Sequence, residues 1–194
     1  MTDDQRWLIA GLGNPGPRYA GNRHNIGFMV ADVLAARIGA RFKRDRAASQ
    51  AATGSLAGAA VIVVKPMSFM NNSGGPVAAV AAFYKVPPDH IVVVHDELDL
   101  PQATIRLKQG GGDNGHNGLR SVTAALRTRD YYRVRMGIGR PPGRQDPADF
   151  VLSDFAAAQR GELPLLIERG ADAVESLLAR GLAAAQNEIH PAAG

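Results

Sequence analysis

The sequence has no cysteine among its 194 residues. That removes thiol nucleophiles, disulfides and thiolate metal sites together, and it is compatible with a reducing compartment. Long apolar runs are missing too: no window approaches the ~20 residues that a membrane span needs. The first residues, Met1-Thr2-Asp3-Asp4-Gln5-Arg6, lack the basic-then-apolar order of a secretory leader. A soluble, unprocessed, cytoplasmic protein without membrane association is expected. No linker, low-complexity tract or repeat divides the chain, so one domain over residues 1–194 is expected. A chain of this length buries roughly 70% of the surface its unfolded form exposes, enough for a conventional core. Lysine is scarce beside arginine, and 22 basic against 18 acidic residues leave a formal charge of +4. Guanidinium binds phosphate through a planar fork, so the balance suits phosphate-rich partners, although a solvated surface carries the same charge.

Strand and helix patterns alternate along the chain. Trp7 to Leu12, Val61 to Val64 and Ile91 to His95 are short apolar runs, each followed by turn-forming or polar residues, as in buried strands. Weaker strand signals lie around Ala51 to Leu56 and Ala103 to Lys108, and Tyr132 to Ile138 alternates like a strand exposed on one face. Helices are expected over about Ile26 to Ile38, Gly75 to Tyr84 (with Ser73 as its cap), Gly118 to Arg127 and Glu162 to Ala184. This order points to an α/β fold: a single-domain three-layer sandwich with a mixed, mostly parallel central sheet flanked by helices. Functional groups are then expected at the carboxyl edge of the sheet.

Gly11-Leu12-Gly13-Asn14-Pro15-Gly16 matches G-x-G-x-x-G, the spacing of a dinucleotide-binding turn. Pro15 and Pro17 break up that turn, and the next acidic residue, Asp32, falls inside a helix pattern instead of at the end of a second strand. The loop is better read as presenting Asn14 at a strand end. Just beyond it, Asn22-Arg23-His24-Asn25 offers an imidazole in a turn-rich setting between strand and helix, where α/β enzymes commonly place chemistry.

Asn14, His24, Asn71, Asp96 and Asn117 all fall in or beside loops. A neutral imidazole can take a proton from water near neutral pH, and a carboxylate on its other nitrogen fixes the tautomer and stabilises the imidazolium. His24 and Asp96 would make such a pair. Asparagine amides donate and accept without charge, which suits a peptide group or an oxyanion. Each residue also has a plain local role in capping or turn chemistry. No serine sits in a G-x-S-x-G elbow. His24, His95 and His116 form no recognised metal motif, so neither metal nor cofactor is expected. Residues 110–117, rich in glycine, allow close backbone approach to a phosphate, with Lys108, Arg133, Arg135, Arg140 and Arg144 as candidate neutralising cations. A mobile surface loop with solvated charges is the other reading.

Taken together, the Gly11–Gly16 loop with Tyr19 and Arg23-His24-Asn25, then Phe69-Met70-Asn71, His95-Asp96-Glu97-Leu98-Asp99 and Gly115-His116-Asn117-Gly118, resemble the bacterial-type peptidyl-tRNA hydrolases. The resemblance runs from about Trp7 into the C-terminal helices. It implies hydrolysis of the ester joining a peptide to the terminal ribose of tRNA, by a monomer with no obligate protein partner. His24 would activate water, Asp96 would hold His24 in its basic form, and Asn71 would position water or the oxyanion. Asn14 and Asn117 would contact the peptide backbone, Tyr19 and Phe69 would bind tRNA, and Met70 would line the cleft. Lys108 and Arg135 match basic positions of the family, whereas Arg106 and Arg144 stand where lysine is often found, which bears on the contacts to the tRNA body. The residues by themselves also fit a non-catalytic protein that shelters the acceptor end of tRNA, or a nucleotide-dependent α/β enzyme.

Overall fold

The computed structural model describes residues 5–190. A seven-stranded sheet runs in the order β2-β3-β4-β1-β5-β7-β6, with β1 over Trp7–Gly11, β2 over Lys43–Asp45, β3 over Ser49–Leu56, β4 over Ala59–Pro66, β5 over Ile91–Glu97, β6 over Ile105–Gln109 and β7 over Tyr132–Gly137. The four middle strands are parallel, with Ile9 beside Val63 on one side and Val92 on the other, and Val94 beside Val134. At the margins β2, β3 and β6 run antiparallel to their neighbours. Over Val61–Val64 of β4, Ile91–Val94 of β5 and all of β1 the middle strands are apolar without interruption because helices cover both of their faces, whereas β7 alternates and carries Arg133 and Arg135 on one face.

Which face each residue meets follows from the pleat. Ile9, Val61, Val63, Val92 and Val94 pack with Ile26, Val30 and Leu34 of α1 (Ile26–Arg37) and Val174 and Leu177 of α6 (Leu163–Arg180). Leu8, Ala10, Ile62, Val64, Ile91 and Val93 face the other way, onto Val77 and Val80 of α2 (Gly74–Tyr84) and Leu119 and Val122 of α3 (Asn117–Leu126). The result is the expected three-layer sandwich. Two short helices, α4 (Pro147–Val151) and α5 (Ala157–Arg160), link β7 to α6. None of the helices among the described residues is long and apolar enough to cross a membrane.

Two local expectations change, and one strand was not anticipated. The helix expected to reach Ala184 stops at Arg180, because Gly181 adopts φ 80° and a second helix, α7 (Leu182–Ile189), starts there. α7 then covers the edge of β6: Gln186 Nε2 donates to Leu107 O at 3.0 Å, and Leu107 N donates to His190 Nε2 at 2.8 Å. An open strand edge is thereby closed by side chains. Ser73 does not cap α2. Its hydroxyl donates back to Met70 O at 2.7 Å, while Gly74 N donates to Ser121 Oγ at 2.9 Å. β2, too short and polar to signal itself, pairs with β3 as an extra edge strand.

The contact that positions the site is backbone against backbone. Leu12 N donates to Val94 O at 3.0 Å and Phe28 N to Leu12 O at 3.2 Å, which lays the start of α1 directly on the ends of β1 and β5. A Cβ on Gly27 would overlap the backbone of Leu12 and Val94, so the approach requires glycine there.

Candidate active site

The carboxyl ends of the parallel strands open into a cleft of about 430 Å³. His24 enters it from a single 3-10 turn, Arg23–Asn25, just ahead of α1. Both neighbours of His24 are buried and tied down. Arg23 lays its guanidinium 3.9 Å from the centre of the Phe150 ring and donates to Phe150 O at 3.2 Å and Ser153 O at 3.3 Å. Asn25 accepts from Asn14 N and donates to Asn14 O, both at 2.9 Å. With its flanks fixed in this way, the imidazole between them has little freedom to leave the cleft.

Asp96, the residue before the last of β5, is 2% exposed. His24 Nδ1 lies 2.9 Å from its Oδ2 and 3.1 Å from its Oδ1, which joins residues 72 positions apart as expected. A second ring shares the carboxylate: His116 Nε2 is 2.8 Å from Asp96 Oδ1. His116 Nδ1 accepts from Gly118 N at 3.1 Å and Leu119 N at 3.2 Å, capping α3, so its proton resides on Nε2 and is donated to Asp96. A carboxylate only accepts, so His24 likewise donates through Nδ1 and keeps its Nε2 lone pair for the cleft.

Burial opposes ionisation of Asp96, but the charges of His24 and His116 and their hydrogen bonds outweigh it and hold the carboxyl well below its usual value. Burial also opposes protonation of His24, and the field and hydrogen bond of Asp96 overcome it, raising the imidazole above 6.5. His95 behaves differently. Fully buried and next to His116, it falls to about 3 and donates Nδ1–H to Asp96 O at 2.7 Å.

His24, Asp96 and His116 bring ligand-type atoms within 4.8 Å of one another, the spacing of a metal site. The hydrogen bonds do not fit a metal. To ligate through Nε2, His116 would have to carry its proton on Nδ1, against two backbone N–H groups that already point at that atom.

The other expected residues line the same cleft. Asn14 Oδ1 accepts from Met70 N at 2.7 Å, which turns Nδ2 outward as a donor. Asn71, in the 3-10 turn Met70–Asn72, and Asn117, the first residue of α3, are exposed on the walls. Met70 is buried beneath them. Tyr19 meets Phe69 edge-on at 6.2 Å, and Phe69 remains 58% exposed at the rim. Pro147, Ala148, Val151 and Leu152 close the opposite side with α4 and the residue after it.

The cations divide. Arg135 sets Nε and Nη2 on Glu97 Oε1 at 3.1 and 2.6 Å, Lys108 reaches toward Gly111, and Arg144 is exposed away from the cleft lining. Arg140 pairs with Asp99 at 2.5 Å. Arg133, read from sequence as a cation free to meet phosphate, is not one: it is wholly buried and spends its guanidinium on the carbonyls of Gly111 and Gly112. It holds up the glycine-rich loop from beneath. The sequence reading assigned no role to His116, Glu97 or Asn25. The only local signal was the cap position of His116 before Asn117-Gly118-Leu119.

Residues 8–193 match the family model described as peptidyl-tRNA hydrolase. The chain is 64% identical over 189 residues to the peptidyl-tRNA hydrolase of Frankia alni, an alignment covering 97% of this chain and 96% of that protein. It is 58% identical over 194 residues to that of Pseudarthrobacter chlorophenolicus, covering 99% and 98%. Among solved structures, the peptidyl-tRNA hydrolase of Acinetobacter baumannii superposes with a TM-score of 0.88 at 35% identity, covering 98% of this chain and 96% of that one. Sequence motifs, sheet order and near full-length likeness agree: this chain belongs to the peptidyl-tRNA hydrolase family.

Proposed function

We propose that this protein hydrolyses the ester between the peptide and the terminal ribose of peptidyl-tRNA, with His24 as general base. His24 Nε2 takes a proton from water, and the oxygen attacks the ester carbonyl. Asp96 stabilises the imidazolium that forms and holds its tautomer. The Asn71 amide steadies the attacking water and the oxyanion. As the tetrahedral intermediate collapses, the ribose oxygen leaves and takes back the proton from His24. An ester has a better leaving group than an amide, so one oriented base in a polar cradle suffices, without a covalent intermediate or a metal.

Asn14 Nδ2 and Asn117 read the peptide backbone, which makes cleavage largely independent of peptide sequence. Tyr19 and Phe69 receive the end of the tRNA over the floor made by Met70. Lys108, Arg135 and Arg144 meet phosphates. The protein works as a single domain over residues 1–194, as a monomer, in the cytoplasm. The observation that carries this reading is the His24–Asp96 pair, with the free nitrogen of His24 facing a cleft walled by asparagine amides. A protein that merely sheltered an acceptor end would have no use for an imidazole whose basicity is raised by a buried carboxylate.

Peptide release from an N-blocked aminoacyl-tRNA by chelator-treated protein tests it. The wild type should turn over, and His24→Ala should lose about 10²–10⁴-fold, the usual contribution of a general base. A chelated protein that binds this substrate without cleaving it, or a His24→Ala variant near full rate, would refute the proposal.

A further inference from the structure

We propose that Glu97 is a positioning residue that orients Arg135 for a tRNA phosphate and, through the same oxygen, fixes the loop that carries His116 and Asn117. The proposal rests on the reading above that Lys108 and Arg135 meet phosphate. Glu97 is buried at the end of β5, next to Asp96, and its Oε1 receives Arg135 Nε at 3.1 Å, Arg135 Nη2 at 2.6 Å and Asn114 Nδ2 at 2.8 Å. One carboxylate oxygen thus joins a strand cation to the loop.

The need for a counter-charge follows from the register of the sheet. β6 and β7 pair Arg106 with Arg135 and Lys108 with Arg133, so all four side chains project from one face of the ribbon. Lys108 responds to that crowding: burial, then Arg135 and Arg133, push its ammonium down, and Glu97 opposes them. A free Arg135 would be driven toward solvent by its neighbours. Docked on Glu97 by its Nε–Nη2 edge, it keeps Nη1 free in a fixed direction for an anion.

The loop needs anchors for a different reason. Gly110, Gly111, Asn114 and Gly115 all have positive φ, from 50° to 93°, so the segment has little intrinsic preference for its bound shape. Arg133 holds it at Gly111 and Gly112, and Glu97 holds it at Asn114. Directly beyond stand His116, which shares Asp96 with His24, and Asn117 on the cleft wall. Phosphate capture and the shape of the peptide side of the cleft therefore depend on one side chain.

The test uses Glu97→Ala, Glu97→Gln, Arg135→Ala and the double variant Glu97→Gln/Arg135→Ala, with N-blocked aminoacyl-tRNA as substrate across a salt series. Thermal midpoints and amide exchange over residues 110–117 are recorded alongside. Arg135→Ala should raise KM about tenfold and flatten its salt dependence, as loss of a phosphate contact does. Glu97→Ala should raise KM at least as much and speed amide exchange in the loop. Glu97→Gln keeps the shape and an acceptor for Asn114 but not the charge, so it should reproduce the KM effect of Arg135→Ala with near-native loop exchange and add nothing to KM in the Arg135→Ala background. Multiplicative KM effects in the double variant, or native KM and loop exchange in both Glu97 variants, would overturn the role of Glu97. An Arg135→Ala variant with native KM and salt dependence would overturn the phosphate reading and the proposal with it. A raised KM in Arg135→Ala alone would overturn only the part assigned to Glu97.

Discussion

Replacing Asp96 by asparagine should silence the protein by giving His24 the wrong tautomer, and His116 decides that outcome. Asp96 receives His116 Nε2 at 2.8 Å on Oδ1 and His24 Nδ1 at 2.9 Å on Oδ2. His116 cannot reverse its role while its Nδ1 accepts from Gly118 N and Leu119 N. An asparagine offers one oxygen and one NH₂ in place of two oxygens. His116 takes the oxygen, so the NH₂ faces His24 Nδ1 and donates to it. The ring proton of His24 then sits on Nε2, the atom that has to accept a proton from water. General-base catalysis and stabilisation of the imidazolium are lost together. The rate should fall about 10³–10⁴-fold, roughly 4–5.5 kcal/mol in the barrier. Single-turnover release of an N-blocked amino acid from its tRNA reads the loss, and imidazole nitrogen chemical shifts read the tautomer. Removing His116 as well frees the amide to turn its oxygen to His24. Asp96→Asn/His116→Ala should therefore be about tenfold faster than Asp96→Asn alone, although it lacks one more residue. An Asp96→Asn variant within tenfold of wild type, or a double variant slower than the single, would refute this reasoning.

Two further outcomes follow from the same geometry. The base works only when unprotonated, and Asp96 raises His24 above 6.5, so kcat/KM should fall with decreasing pH through a midpoint above that value. In Asp96→Asn burial acts alone, so His24 followed by its imidazole nitrogen shifts should titrate below 6.5, whereas a wild-type kcat/KM midpoint below 6.5 would contradict the assigned pair. Gly27→Ala puts a methyl group into the backbone of Leu12 and Val94. It should cost about 3 kcal/mol or more in denaturant unfolding and slow catalysis beyond the loss of folded protein; a fully stable variant would mean that the close approach is unnecessary.

Much of the framework could be read from local pattern. Continuous apolar runs at 7–12, 61–64 and 91–94, short and bounded by turn-forming or polar residues, read as strands covered on both faces, and α1, α2 and α3 lie within a residue or two of their expected bounds. Asn14, His24, Asn71, Asp96 and Asn117 could be picked out as polar residues in loops beside buried strands, but each also had a plain role in capping or turn chemistry, and their joint match to the motifs of one family is what set them apart. Features with a weak local signature were missed. Gly181 breaks a helix whose apolar spacing continues past it, β2 has only three residues, and Ser73 turns away from the cap role its position suggested.

The amino-acid order by itself determined the layers, the crossover points and the inventory of side chains able to do chemistry, because periodicity and turn preference act over a few residues. Only tertiary structure decided how those side chains share their protons and charges. Arg133 and Arg135 look alike in sequence, yet one lies buried under a loop and the other is held near the cleft. His24 and His116 meet on one carboxylate across separations of 72 and 20 positions. Such contacts depend on strand order and on two backbones meeting at Gly27, and hydrogen-bond direction at Asp96 depends on what each ring does with its other nitrogen. No local pattern carries that information, because each group's state is set by neighbours that arrive from elsewhere in the chain.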